Sequence, residues 1–350
     1  MANILDIRRR IRSVVNTRQI TKAMKTVSAA KLRRAQEAAL AARPYSQMLT
    51  NVLKSLMSRV DIYDPVTGEA LHPLLVERPE KNILLIVVTG DKGLAGAFNT
   101  NILKVVPRFI DLKSEETIDI ECVGRKGRDF LRRRFPVAVQ AQGAEETRAR
   151  AGRVQIVGEH VGVLGKVEFK FASELGQSIV ERFSRGEIDG VYVLYNEFKS
   201  VIAQRLIVQK LLPIKEIGAA DVQIAEEAAL AEKKRRLEAA KGAGVGVRPI
   251  DTRVIDEEAK KFGTAEVDYI YEQPPADLFR GILPKFIGVQ IFHALMESVA
   301  AEHAARMTAM DAATNNASDM IDSLTLVMNR ARQAKITKEI IEIVSGAAAS

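Results

Sequence analysis

Apolar residues recur at steps of three and four along the first sixty positions of the chain, and this spacing predicts one long helix. The segment from Ile4 to about Val60 contains no glycine, and its only proline is Pro44, where we expect a local disturbance. The apolar positions form a narrow stripe, which is typical of coiled-coil pairing and not of a helix in a globular core. They are Ile4, Ile7, Ile11, Val14, Ile20, Met24, Val27 and Leu32.

The end of the chain repeats this pattern from Asp277 to about Val344. Gly281, Pro284 and Gly288 lie near its start, and neither residue type recurs before Gly346. The stripe is rich in small residues and methionine: Leu295, Val299, Met307, Met310, Ala313, Ala317, Ile321, Leu324, Met328, Ala331, Ile336, Ile340 and Ile343. At about 1.5 Å per residue each helix would be roughly 80–100 Å long, which exceeds a compact domain of this mass. Two such helices bury their stripes most simply by pairing with each other.

The residues between these helices alternate between strand and helix patterns. Ile83–Thr89 is a continuous apolar run, as expected for a strand covered on both faces, and Ile118–Val123 and Val191–Tyr195 resemble it. The intervening helical patterns are Asn99–Leu112, Gly127–Arg134 and Ala172–Arg185. This alternation predicts a mostly parallel α/β sheet, with Ser200–Leu212 as a longer strand added at an edge.

Residues 215–263 fit neither pattern. They begin with a charged, alanine-rich helical pattern at Ile224–Lys241 and continue through a glycine-rich stretch. We interpret them as an insertion in the α/β domain, either a solvated helical hairpin or a regulatory one. The predicted fold class is therefore α/β, with a coiled-coil helix at 1–63, an α/β domain at 75–214, this insertion, and a second coiled-coil helix at 274–350.

The positive charge is concentrated in the first helix. The chain has 52 Lys and Arg against 44 Asp and Glu, a net charge of +8, but residues 1–60 alone hold thirteen basic and two acidic residues. That segment therefore carries +11 and the rest of the chain −3. Such a surface predicts an anionic partner: nucleic acid, a membrane surface or an acidic protein. The first aromatic residue is Tyr45, so no platform for stacking bases lies among the arginines, and an acidic protein explains the charge best. A nucleic-acid-binding coiled coil is the alternative.

Composition and motifs argue against several other classes. Cys122 is the only cysteine, which excludes a disulfide scaffold, and the start of the chain has no apolar signal core, so we expect an intracellular protein. The four histidines show no metal-binding spacing, and we expect no metal, cofactor or catalytic residue. The glycines of the loop Thr89–Asn99 match no nucleotide-binding motif, and Asp91 would repel a phosphate. We therefore favour a structural turn over a nucleotide-binding enzyme that uses this loop.

Three blocks of residues resemble the gamma subunit of F-type ATP synthases. They are Asp6–Arg8 with NTRQITKAMK (16–25) and Lys31–Gln36; DKGLAGAFN (91–99); and EHAARM (302–307) with Asn329–Gln333 and Ile336–Ile340. The resemblance implies a Rossmann-like domain at one end of an antiparallel coiled coil. It also implies a non-catalytic rotor shaft, which couples rotation of a membrane ring of c subunits to the catalytic alpha/beta hexamer.

The resemblance further implies partners and contact residues. The alpha and beta subunits, with acidic segments of beta, would meet Arg8, Arg9, Met24, Lys25, Arg33, Arg34, Arg306, Arg332, Gln333 and Thr337. For Met24 a place in the apolar stripe is an equal alternative. The epsilon subunit and the c ring would meet Tyr269, Tyr271 and Glu272, which could instead belong to a hydrophobic connector. The expected location is peripheral, on the cytoplasmic face of a bacterial inner membrane.

The insertion departs from the usual family pattern. In chloroplast relatives a segment at about this place carries a dithiol switch, but residues 215–263 contain no cysteine. Redox gating through this segment is therefore chemically excluded. We hypothesise that it limits rotation, or that it contacts epsilon or beta through its charges.

Overall fold

The structure is a computed structural model that describes residues 4–57, 72–138, 150–198, 200–201, 204–214, 221–227, 271–348 and scattered positions between 234 and 242. Its elements follow in the order α1 (Ile4–Met57), β1 (Asn82–Val88), α2 (Phe98–Leu112), β2 (Thr117–Val123), α3 (Arg125–Leu131), β3 (Val154–His160), α4 (Phe169–Ser184), β4 (Gly190–Phe198), β5 (Gln204–Leu212), β6 (Asp221–Glu227) and α5 (Pro275–Ala348). The α/β domain is thus inserted between two long helices, as predicted.

Helices α1 and α5 pair in antiparallel fashion. Lys25 Nζ lies 2.5 Å from Asp311 Oδ1, and the hydroxyl groups of Thr21 and Thr314 are 2.8 Å apart. The 74 residues of α5 make it about 110 Å long, against about 80 Å for the 54 residues of α1. Helix α1 continues through Pro44, which removes one backbone hydrogen bond without ending the helix. The buried stripe that joins the helices includes Ile7, Leu32, Ala35, Ala304, Met307 and Met310.

The six-stranded sheet has the order β3-β2-β1-β4-β5-β6. Strands β1 to β4 pair in parallel, and β5 and β6 are added in antiparallel orientation. Six of the seven residues of β1 are buried, because this strand lies inside the sheet with helices on both faces. The prediction of a mostly parallel α/β sheet from the apolar run at 83–89 is therefore confirmed.

The predicted helix at Ile224–Lys241 is wrong in its first residues. Asp221–Glu227 form strand β6, with Gln209 of β5 opposite Val222 and Ile207 opposite Ile224. Alanine and glutamate favour a helix, but Val222 and Ile224 alternate with polar residues, and the edge of β5 provides hydrogen-bond partners for the backbone groups that face it. Strand β5 is consequently not at the edge, and the sheet extends beyond the predicted boundary at residue 214.

Strand β3 was not predicted from the pattern either. Its sequence VQIVGEH mixes apolar and polar residues, and only the first three are buried. It is an edge strand, paired with β2 alone in the named sheet, so little of its length needs apolar side chains. A short mixed strand of this kind lacks the periodicity that reveals a buried strand.

Helix α5 runs beside the sheet from the start of β1 towards its end. The ring of Phe279 contacts that of His72, before β1, at 5.8 Å between centroids, and Phe292 contacts Phe169 at the start of α4 at 5.6 Å. Farther along, Glu302 reaches Gly90, which follows β1. The carboxyl ends of the parallel strands therefore face the direction in which the coiled coil extends.

One stretch within 275–345 of α5 is long and apolar enough to cross a membrane by length and composition, but 67% of it is buried inside the structure. The α/β domain and α1 cover this stretch, which is the behaviour of a packed core helix. Cys122 lies in the interior of β2 and is fully buried. Burial raises the pKa of its thiol to about 12, so the thiol is protonated and inert at neutral pH.

Candidate protein-interaction surfaces

Four basic residues of α1 that were predicted to contact partner subunits lie on the face turned away from α5. Arg8, Arg9, Arg33 and Arg34 are exposed, because the apolar stripe between them is turned towards the partner helix. Arg9 is 3.7 Å from Asp6, but both side chains are mostly in solvent. An exposed ion pair of this kind contributes little to the stability of the fold. These four predicted contact residues therefore form an accessible cationic surface along the coiled coil.

Lys25 lies inside the helix pair. Its ammonium group is paired with Asp311, and both side chains are less than one-fifth exposed. A helical residue of the insertion, Gly242, also lies against it, since a Cβ atom at that position would be 3.0 Å from Lys25 Nζ. Ala239, another described residue of the insertion, is 1% exposed. The charge of Lys25 is therefore neutralised within the chain, while its neighbour Met24 is half-buried.

Arg306 is also an internal residue. Its Nη2 atom lies 2.5 Å from Glu302 Oε1 and 3.3 Å from the carbonyl oxygen of Gly93, and the residue is 9% exposed. Nδ1 of His303 lies 3.3 Å from Arg306 Nη1. Burial, Arg306 and Lys31 lower the pKa of His303 to about 4, so its ring is neutral at pH 7. The structure thus places Arg306 in a joint between α5 and the α/β domain and not on a surface.

The tip of α5 extends beyond the described part of α1. Continuing the register of the Lys25–Asp311 and Thr21–Thr314 pairs places Ile4 opposite roughly residue 331. The remaining 17 or so residues of the helix project about 25 Å farther. Here Arg332, Gln333 and Thr337 are exposed, as are the apolar residues Ile336, Ile340, Ile341, Ile343 and Val344. An apolar surface of this kind is typical of a protein-binding segment.

The opposite end carries the other predicted contact residues. The hydroxyl of Tyr271 donates to Ser55 Oγ at 3.0 Å, which joins the chain before α5 to the last turn of α1. Glu272 is exposed beside it. Tyr269 lies outside the described residues. Tyr271 and Glu272 are therefore separated from the tip by the whole length of α5.

The loop after β1 is built as a structural turn. Asp91 Oδ1 accepts hydrogen bonds from the backbone N–H groups of Arg125 and Gly162, at 3.0 and 3.1 Å. These amides are therefore occupied by a carboxylate of the chain itself, which also repels anions. Gly90 N–H donates to Asn99 Oδ1 at 2.8 Å, fixing the turn into α2. The loop thus has the chemistry of a strand-to-helix connection and not of a phosphate site.

Sequence reasoning missed Asp311 and Glu302 as partners of two predicted contact residues. For Glu302 a signal was present, because a glutamate four residues before an arginine on a helix forms an ion pair. For Asp311 the partner lies 286 positions away, and its identification needs the register of the two helices. Among the described residues no group of three or more His, Cys, Asp or Glu could hold a metal ion.

Known proteins are similar in sequence to this chain along nearly its whole length. The family model described as ATP synthase matches residues 3–349. The ATP synthase gamma chain of Solibacter usitatus is 45% identical over 350 residues, covering 100% of both chains. That of Trichlorobacter lovleyi is 43% identical, covering 99% of this chain and 98% of the relative.

Solved structures share the fold at low sequence identity. The central stalk and c-ring structure of Tetrahymena thermophila mitochondrial ATP synthase matches with a TM-score of 0.53 and 21% identity, covering 84% of this chain and 99% of that one. The rotor of the Euglena gracilis mitochondrial ATP synthase matches with a TM-score of 0.51 and 16% identity, covering 95% and 98%. By sequence and by fold, the chain belongs to the ATP synthase gamma chain family, the non-catalytic rotor shaft of F-type ATP synthases.

Proposed function

We propose that the cationic surface of α1 turns against acidic segments of the beta subunits in the catalytic alpha/beta hexamer. The supporting observation is that Arg8, Arg9, Arg33 and Arg34 are exposed on the face of α1 that is turned away from α5. Charge attraction acts over several ångströms and needs no interlocking of shapes. A rotating surface requires this property, because each contact must be left as easily as it is entered.

The tip of α5 is proposed to occupy the cavity of the hexamer. Arg332, Gln333 and Thr337 would contact the surrounding subunits there, beside the exposed apolar residues of the same helix. A single helix of about 10 Å diameter is the narrowest part of the molecule, which suits a central cavity. Lys25 and Arg306 act differently in this proposal, since both are paired inside the chain.

The end that carries Tyr271 and Glu272 is proposed to meet the epsilon subunit and the c ring. This assignment would also place the described Tyr271–Ser55 contact near the membrane, on the cytoplasmic face. Proton flow then turns the ring, the ring turns the shaft, and the angle of the shaft sets which catalytic site is open. The coupling requires that the two ends of the molecule contact different partners, and α5 separates them by about 100 Å.

Assembly tests this proposal against binding to nucleic acid. We expect the purified chain to assemble with alpha and beta subunits and to stimulate ATP hydrolysis, and we expect the assembly to weaken at high salt, since the contacts are charged. A variant with Arg8, Arg9, Arg33 and Arg34 replaced by glutamine should assemble less well. Salt-sensitive binding to DNA, with no assembly, would support the nucleic-acid alternative instead.

The insertion is proposed to restrain the shaft. The support is that a Cβ atom on Gly242 would lie 3.0 Å from Lys25 Nζ of α1, and that Ala239 is buried. A deletion must spare β6, because removing Asp221–Glu227 would expose the edge of β5. We expect deletion of residues 228–263 to raise ATP hydrolysis by the assembled complex or to relieve its inhibition. Unchanged hydrolysis and unchanged inhibition would exclude a restraining role.

A further inference from the structure

Helix α4 of the α/β domain approaches α5 unusually closely at two glycines. Gly176 and Gly288 are both buried, and a Cβ atom on Gly176 would lie 3.0 Å from the Cα and N atoms of Gly288. A Cβ atom on Gly288 would lie 3.3 Å from Cα of Ser173. The backbones of the two helices are therefore in direct contact, with no flexible side chain between them. Gly281, seven residues earlier in α5, faces open space.

A second attachment lies about 21–27 Å farther along α5, at the loop after β1. A Cβ atom on Gly90 would lie 2.7 Å from Glu302 Oε1, and Arg306 binds both Glu302 and the carbonyl of Gly93. Between the two attachments Glu297 Oε2 accepts a hydrogen bond from the N–H of Phe198, in β4, at 2.8 Å. The α/β domain is thus held to α5 at separate points along one helix.

We propose that these contacts, Gly176 with Gly288 and the loop 90–93 with Glu302 and Arg306, form a clamp that keeps the α/β domain and α5 a single rigid body during rotation. The proposal rests on the function of the chain as a shaft. A load on one contact tilts the domain about that contact, whereas two contacts separated along the helix resist this tilting. Torque then passes between the domain and the coiled coil along α5, and α1 follows through its pairing with α5.

A disulfide across the clamp tests whether the α/β domain separates from α5 while the complex pumps protons. A Cβ atom on Gly96 would lie 3.9 Å from the Cβ atom of Ala309, and disulfides join Cβ atoms about 3.8 Å apart. The native Cys122 is fully buried and will not compete for pairing. The variant Gly96→Cys/Ala309→Cys is assembled into the complete complex in vesicles, and ATP-driven proton pumping is measured before and after oxidation. Gly96 has a φ of +55°, and any cost of a side chain there is the same in both states.

If the clamp stays closed, oxidation leaves proton pumping unchanged. A loss of pumping by more than about threefold on oxidation, restored by dithiothreitol, would show that the domain must move relative to α5 and would overturn the proposal. Pumping by the unmodified complex shows separately that the complex rotates, so failure of the clamp can be distinguished from failure of assembly.

A loosened clamp provides the converse test. Gly176→Ala forces α4 away from α5, and we expect protons pumped per ATP hydrolysed to fall about threefold while hydrolysis itself is retained. Gly281→Ala adds the same methyl group to α5 in open space and should leave the ratio unchanged. Oxidation of the 96–309 cysteine pair in the Gly176→Ala background should restore the ratio, which a merely folding-related defect would not allow. An unchanged ratio in Gly176→Ala would refute the role of the glycine contact.

Discussion

Replacing Arg306 with alanine will destabilise the chain by about 3–5 kcal/mol, because it leaves the carboxylate of Glu302 buried without a cation. The Glu302 and Arg306 side chains are 7% and 10% exposed, so water cannot take the place of the guanidinium. His303 is a poor source of the missing charge, because burial, the largest cause that lowers its pKa, persists in the variant. The measurement is the free energy of unfolding in urea, followed by circular dichroism.

Two matched variants separate the buried charge from the general loss of a side chain. The double substitution Glu302→Met/Arg306→Met removes both charges and should recover most of the lost stability. Lys335→Ala removes one partner of the exposed Lys335–Glu339 pair on the same helix and should cost less than about 0.5 kcal/mol. A cost for Arg306→Ala as small as that for Lys335→Ala would contradict the internal role assigned to Arg306.

Replacing Arg332 and Gln333 with alanine will lower assembly or turnover of the complex about tenfold, which is the effect of losing one central contact of a protein interface. Both side chains are exposed on the projecting tip, so the folded chain itself should be unaffected. The measurement is ATP hydrolysis by the chain reconstituted with alpha and beta subunits, titrated over subunit concentration.

The control for this variant is an exposed pair outside the coiled coil. Lys170 and Glu174 lie on α4, 81% and 65% exposed, and their replacement by alanine should change neither assembly nor hydrolysis. If the Arg332→Ala/Gln333→Ala variant behaves like this control, the two residues are not contacts with the hexamer. A loss of helix content in the variant would point to folding of the tip instead.

Periodicity revealed the large elements of the fold because burial imposes it on them. The narrow stripes of α1 and α5 reflect their pairing, and the apolar run of β1 reflects its place inside the sheet. Strands β3 and β6 escaped prediction for the opposite reason. At an edge, half of a strand's surroundings are solvent or loops, and the order of the strands determines its structure more than its own side chains do.

The predicted contact residues also fall into two groups, one whose position could be predicted from the sequence pattern and one whose position could not. Their exposure on α1 follows from the stripe, since residues opposite a buried seam must face outwards, and Arg8 and Arg34 do so. The internal positions of Lys25 and Arg306 depend on Asp311 of the partner helix and on the loop at Gly93, which are distant in sequence. A residue's identity therefore indicated that it carries charge, but only the packing of the helices decided whether a partner subunit can reach that charge.

The projecting tip of α5 makes assembly and local order thermodynamically linked. The paired part of α5 nucleates the helix, but its last turns are marginally stable in water, because their described residues are exposed and gain little from tertiary packing. In the free chain the last turns should therefore exchange their amide protons quickly, and the surrounding subunits should protect them. Part of the binding free energy then goes into ordering the tip, so the affinity of the complex depends on the helix propensity of residues that are exposed in the isolated chain.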